Sequence, residues 1–517
     1  MFGEKSIRFI GAVLTACVLM FTGVFAGCKN GKDKYDFTVW VMQNDDIDNY
    51  ENADVFKEME KITGKRVKFI MGGDIQMMFA THSYPEAVVT ILGDTFTYPG
   101  GIDKGIADNV ILDLTDLIEE HAPNYKAFIN ADPDVKREVI TDEGKMGAMY
   151  AVSEDMQGPW YGYVMRKDLL DKYGFDIPVT YADWTAILST MKKTEGMKKP
   201  LFLASSGVDL FNFLNGGFGV MADFYNENGV VKYGPMEDGF LDYLTQMYRW
   251  YRNGADYIDT GYNTKGDLLP GLLDVVGNQK EAASVMAFPY IYTMIDSLEQ
   301  QGKKAGIENF ELVAVPSPKV NAEDKLHIRQ TNARIGAHVM LTKKCANPAE
   351  IVEWFDYFYS DAGRLLMNYG TEGKSYNMVN GKPSFTQLVR DEFNSGAFYK
   401  YASHAFPTVS DWRREFQLIS QKSIDAMNVW ETDNDGKYLL SPAITLTPAE
   451  GVKYSTLMAD INTYVSESIN KFIKASDTNF TLAKFHTDFV PKLKKLGIEE
   501  AISIKQAGLD RLNARQV

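Results

Sequence analysis

The chain has 517 residues, more than one hydrophobic core usually serves, so two or more lobes are expected. Its hydrophobic share of 45% is that of a globular protein, and its net charge of −15 argues against a nucleic-acid partner, because neutralising phosphates needs a basic surface. The six histidines (His82, His121, His327, His338, His404 and His486) are scattered, with no pair at metal-ligand spacing on a helix, so neither a metal nor another cofactor is expected.

Lys5 and Arg8 give a short positive start, partly offset by Glu4, and Phe9 to Gly27 carries no charge. Such a run lies between a signal-peptide core and a membrane span in length, and the small residues before Cys28 favour processing. Ala26-Gly27-Cys28 resembles the lipobox of bacterial lipoproteins, although Phe25 stands where that motif usually has Leu. Leu14-Thr15-Ala16-Cys17 matches the box better, but it leaves a very short apolar segment and an apolar new terminus, so Cys28 is preferred. The resemblance implies a signal peptide over 1–27, lipid on the Cys28 thiol and a polar tether over 28–35. The rest would then lie outside the cytoplasm, held at the cell membrane. The alternative is an uncleaved anchor helix. Without residues 1–27 the chain keeps 52 basic and 68 acidic residues. Cys345 is then alone, which leaves no intramolecular disulfide, and it reads as a small residue near a helix start rather than a nucleophile.

Along the chain, "YDFTVWVM" alternates as a strand. "NADVFKEMEKITGKRVKFIMG" reads as a helix stopped by Gly64 and a second strand, and "YPEAVVTILGD" as a third, buried one. "VILDLTDLIEEHAPNY" is an amphipathic helix ended before Pro123. This alternation implies a parallel, helix-covered sheet. "GKMGAMYAVSED" is a strand ending near Tyr150, and a second strand-and-helix block opens at "YGYVMRKDLLDKYGF". Thr180 caps the helix of "VTYADWTAILSTMKK", with Asp183 in its first turn. Helices are expected at 237–253 and 348–369, and strands in "NFELVAVPSPK" and in "IGAHVMLTKK", the latter in the first block. The last third reads as long helices over 411–430, 451–475 and 481–513. Asp433-Asn434-Asp435-Gly436 is a turn rather than a calcium loop, whose twelfth position, counted from Glu431, would fall on Pro442 instead of an acid.

One stretch carries a family pattern: Gly144-Lys145, then Tyr150-Ala151-Val152, then Arg166 to Gly174, then Pro178 to Thr180. "CANPAEIVEWFDYFYSDAGRLLMNYGTEGKSY" and "NQKEAASVMAFPYIYT" add to it, the second departing at Gln279 and Glu281. The order and spacing of these segments resemble the bacterial extracellular solute-binding proteins of family 1, the carbohydrate-binding lipoproteins of ABC transporters. The resemblance covers the chain from about residue 36 to its end. It implies a monomer with an α/β, two-lobe periplasmic-binding-protein-like fold of type II, its lobes joined by a hinge, with a helical C-terminal extension. Lobe one would take 36–150 and 316–390, and lobe two 151–315 and 391–517, with hinges near Ala151 and Pro316. It also implies that the protein is no enzyme, and that it delivers sugar from its interlobe cleft to a permease.

A sugar offers polar edges and apolar C–H faces, so its site needs aromatic planes and fixed polar groups. The aromatic share of 13% can supply such planes. Open α/β sheets bind ligands at loops that follow strands. The candidates there are Asn44 and Asp45 with Asp46, Asp94 and Phe96, Glu154 and Asp155, Trp160 and Tyr161, Tyr290 and Tyr292, Arg334, and Asp411 and Trp412. Each also has a plain reading as a turn, cap or core residue, whereas Trp184, Trp250 and Trp354 lie inside amphipathic helices and read as core. Three rival readings stay open: a glycoside hydrolase, which needs two carboxylates about 5–10 Å apart, a peptide receptor of the same fold, and a surface lipoprotein with no small ligand.

Overall fold

A computed structural model describes residues 35–43, 47–90, 98–154, 157–203, 214–252, 255–259, 285–304, 306–307, 309–328, 334–393, 396–403, 406–474 and 482–517. Two main sheets organise them. In the first, the spatial order is Val409–Ser410, Met149–Ser153, Ile335–Leu341, Ala87–Thr90, Phe37–Val41, Val67–Met71. Phe37–Val41 runs parallel to Val67–Met71 and to Ala87–Thr90. Ile335–Leu341 is inserted antiparallel between Ala87–Thr90 and Met149–Ser153. All four residues of Ala87–Thr90 are buried, which is why this strand reads as an unbroken apolar run. The second sheet has the order Leu312–Ala314, Tyr161–Arg166, Ala287–Ile291, Leu201–Phe202, Ile258–Asp259. Each sheet has its own core, so the protein is a two-lobe α/β structure.

Local signals account for most boundaries. Gly64 ends the helix Asp54–Thr63 in the left-handed region at φ 69°, where a side chain would be strained. Thr180 and Asp183 form a capping box on the helix Tyr181–Thr194. Pro123 both follows one helix (Thr115–His121) and opens the next (Pro123–Asn130), since its missing N–H costs nothing at a first position. Three expected long helices are broken, the one expected over 481–513 at Gly497, which separates Val490–Leu496 from Ile498–Ala514. Ser360 caps Asp361–Tyr369 after a tight turn at Tyr357–Tyr359, and Ser420 caps Gln421–Glu431 after the short helix Trp412–Gln417. The long helix Pro448–Lys474 and the final helix Ile498–Ala514 lie against lobe two.

The chain passes between the sheets three times, and strand pairing moves each expected boundary. The strand expected to end near Tyr150 runs on to Ser153, because Val152 donates its N–H to the Thr408 carbonyl and pairs with Ile335. Residues beyond Pro316 stay on lobe two, where the Lys319 N–H bonds the Val179 carbonyl at 2.9 Å and the Leu326 N–H that of Asp433 at 2.8 Å. Residues 391–393, 396–403 and 406–410 remain with lobe one up to the pairing of Val409 with Val152. No helix among the described residues is long and apolar enough to cross a membrane.

Candidate ligand-binding cleft

In both lobes strand termini lie toward the passages between them, some strands ending there and others, Tyr161–Arg166 and Ile335–Leu341, beginning there. On lobe one the ends are those of Phe37–Val41, Ala87–Thr90 and Met149–Ser153. Asn44, Asp45, Asp46, Asp94, Phe96 and Asp155 follow these strands and lie outside the described residues. On lobe two, Tyr161 opens one strand and pairs in register with Ile291, the last residue of its antiparallel neighbour. That register brings two distant stretches together: the Tyr292 N–H donates to the Trp160 carbonyl at 3.1 Å. Trp160 and Tyr161 are half-buried, and burial raises the Tyr161 hydroxyl pKa. Each packs partly against a lobe-two core and stays partly exposed.

Tyr290 and Tyr292 are placed differently from expectation. They are 1% and 0% exposed, so both rings pack in lobe two's smaller core instead of facing a ligand. The physical reason is that both faces of Ala287–Ile291 are covered, which a five-residue apolar run does not reveal. Tyr292 donates its hydroxyl to Glu415 Oε2 at 3.1 Å, and burial pushes the Glu415 carboxyl upward. Trp412 belongs to the same core, edge-on to Phe416, with the Arg413 guanidinium 4.3 Å over its ring. Asp411 is exposed, yet its carboxylate accepts from the Tyr369 hydroxyl and its N–H bonds Asn368 Oδ1 at 2.9 Å.

Arg334 is a hinge cross-link. Its Nη1 donates to Asp132 Oδ2 at 2.6 Å, and its other nitrogens reach the carbonyls of Ser153 (3.3 Å) and Glu154 (3.1 Å). That bond holds the Asp132 carboxyl below the usual carboxylate range. Glu154 pairs with Arg364, so charge of both signs stands at the first passage. Sequence reasoning missed Glu415, Asn368 and the buried Arg414, which donates to Asn368 Oδ1. The one available signal was the spacing of Trp412 and Glu415, three residues apart on a helical turn.

Among the described residues no group of three or more His, Cys, Asp or Glu could hold a metal. In the acidic turn, both Asp433 oxygens are taken by lysines, Lys319 and Lys325, each at 2.6 Å, and Asp435 faces His327 at 2.8 Å. Cys345 is half-buried, bonded to the Glu86 carbonyl, and burial pushes its thiol up to about 12, which suits packing and not attack. A groove of about 320 Å³, lined by Tyr35, Phe56, Arg66 and Trp354, lies by the opposite ends of the first sheet's strands, away from these passages.

No family model matches the chain. It is 21% identical over 510 residues to the fructooligosaccharide ABC transporter substrate-binding protein FusA of Streptococcus pneumoniae serotype 4 (strain ATCC BAA-334 / TIGR4), covering 89% of this chain and 87% of that protein. It is 20% identical over 485 residues to lipoprotein LipO of Bacillus subtilis (strain 168), covering 86% of each. Among solved structures, the HMO-binding solute-binding protein of Bifidobacterium longum infantis aligns with a TM-score of 0.73 at 15% identity, over 93% of this chain and 99% of that one. FusA in complex with kestose aligns at 0.68 and 15% identity, over 93% and 100%. These likenesses show the fold: that of two-lobe solute-binding proteins.

Proposed function

We propose that this chain, whose relatives and structural neighbours include a fructooligosaccharide and an HMO-binding substrate-binding protein of ABC transporters, is itself such a protein: it captures an oligosaccharide between its lobes and hands it to a membrane permease. The observation that carries the reading is the full-length likeness to FusA, which spans both lobes and the C-terminal helices. The cleft edge supports it. Trp160 and Tyr161 supply partly exposed aromatic residues, while Glu154, Arg334 and Asp411 stand at the passages. Aromatic faces take the apolar side of a sugar ring and fixed charges take its hydroxyls. Asn44, Asp45, Asp94, Phe96 and Asp155 complete the proposed site from the loops after the strands. Tyr292, Tyr290 and Trp412 form the packed backing that holds it. Ligand would favour the closed arrangement only through greater affinity for it, by hinge motion at the three passages.

We also propose that Cys28 carries the lipid that holds the protein on the outer face of the cell membrane. Stable anchoring needs more than one acyl chain. Cys28→Ser is expected to release the processed protein from the membrane fraction; retention there would contradict the assignment. The test of ligand class is a thermal-shift plate of residues 29–517 with kestose, other mono- and oligosaccharides, and short peptides. Binding to the native state alone stabilises by about 2.7 kcal/mol at one hundred times Kd. A shift across a sugar series is expected. Shifts with peptides alone would overturn the ligand class and leave the fold untouched.

A further inference from the structure

The final helix, Ile498–Ala514, belongs to both lobes. Its earlier residues Ile498, Ala501 and Leu509 lie in the lobe-two core, whereas Leu512 lies in the lobe-one core. Gln506 fixes it to lobe two by accepting from the Val231 N–H at 2.7 Å and donating to the Gly229 carbonyl at 3.0 Å. Its end is fixed to lobe one through Asp142, in the turn after the helix Pro133–Val139. Asp142 accepts from Arg511 Nε at 2.8 Å, Arg515 Nε at 2.9 Å and the Thr445 hydroxyl at 2.9 Å. The Arg515 side chain is 1% exposed and also donates to the carbonyls of Arg137 (2.9 Å) and Ala443 (3.2 Å). Ser441 bonds Glu138 at 3.1 Å, on that same helix. The other end of Pro133–Val139 is capped by Asp132, the partner of Arg334 at the hinge. One short helix of lobe one is thus tied at its start to a hinge strand and at its end to the C-terminal helix.

We propose that the C-terminal helix is a fixed strut: a further tie between the lobes beyond the three chain passages, holding the hinge side together so that opening is confined to the far side of the cleft. A buried guanidinium that makes several hydrogen bonds is costly to expose, so the contact persists while weaker interlobe contacts exchange. The far side is marked by the outer strands of the two sheets, Val67–Met71 and Ile258–Asp259, which lie opposite the strands at the passages. The inference rests on the two-lobe fold and needs no ligand.

The test measures distances between paired spin labels in ligand-free residues 29–517 with Cys345→Ala. One pair spans the strut (Glu143→Cys with Val230→Cys) and one spans the far edges (Met77→Cys with Lys198→Cys). All four positions are exposed. The strut pair is expected to give one narrow distance and the far pair a broader distribution. Arg511→Ala combined with Arg515→Ala is expected to shift the strut pair to longer distances and broaden the far pair further. The milder Asp142→Asn, which keeps the side-chain shape, is expected to shift it less in the same direction. A strut pair as broad as the far pair in the parent chain would overturn the proposal. So would distributions that neither variant changes.

Discussion

Gly162 offers a sharp test of how the cleft edge is built. It is the second residue of Tyr161–Arg166, between Tyr161 and Tyr163, and it pairs with Tyr290. A Cβ there would land on the indole of Trp430, whose ring is 1% exposed and whose Nε1 donates to the Tyr163 carbonyl at 2.9 Å. The neighbour is a rigid ring in a packed core, so it has no flexible end to yield. Overpacking a core costs about 1–3 kcal/mol. Displacing the ring also loses a buried hydrogen bond worth about 1 kcal/mol net. Gly162→Ala is therefore expected to destabilise by about 3 kcal/mol, the sum of an intermediate overpacking cost and the lost bond. Because Trp160 and Tyr161 sit on the same strand start, sugar affinity should fall as well. The assay is urea unfolding of parent and variant, with m compared to exclude a change in the unfolded state. Trp430→Leu makes room for the methyl group, so the double variant should be more stable than the two single effects added. A Gly162→Ala protein as stable as its parent would refute the packing argument.

Three other outcomes follow from buried charge. Burial raises the Glu415 carboxyl pKa, so the folded state holds this proton more tightly than the unfolded one. Stability contributed by that proton is lost as pH rises through the folded value, and Glu415→Gln should stabilise near neutral pH and flatten the profile in a pH-resolved melt. Burial lowers the His338 pKa to about 4, in the middle of Ile335–Leu341. Its contribution is present above about pH 6.5 and lost as pH falls through about 4, up to ~3 kcal/mol, and His338→Leu should remove that slope in denaturant titrations. Lys319 is 3% exposed at its side chain and pairs with Asp433, whereas Lys325 is well exposed. Asp433→Asn should cost about 3–5 kcal/mol by stranding a buried ammonium, and Lys325→Ala less than ~1 kcal/mol; equal effects in thermal melts would contradict the assignment of the buried partner.

The parallel strands Phe37–Val41, Val67–Met71 and Ala87–Thr90 of lobe one were legible because they are apolar, β-branched runs separated by helices, whereas the antiparallel insertion of Ile335–Leu341, which makes the sheet mixed, was not. The cap of Tyr181–Thr194 and the glycine stop after Thr63 were legible for the same reason: each depends on residues within one turn. What escaped depends on contacts between distant positions. Arg334 reads as a ligand contact until Asp132, two hundred and two residues away, is seen to hold it. Tyr290 and Tyr292 read as stacking faces because alternation along a strand does not say that both sides are covered. The second and third passages were misplaced because the two-residue strand Val409–Ser410 and the loop around Lys319 carry no periodicity to read.

The most direct test of the central claim is a calorimetric titration of residues 29–517 with a fructooligosaccharide series beginning at kestose, with a cello- and a malto-oligosaccharide series beside it. Saturable one-to-one binding to at least one series is expected, with affinity lost in Trp160→Ala. A well-folded chain that binds none of these sugars, or binds one equally well without Trp160, would contradict it.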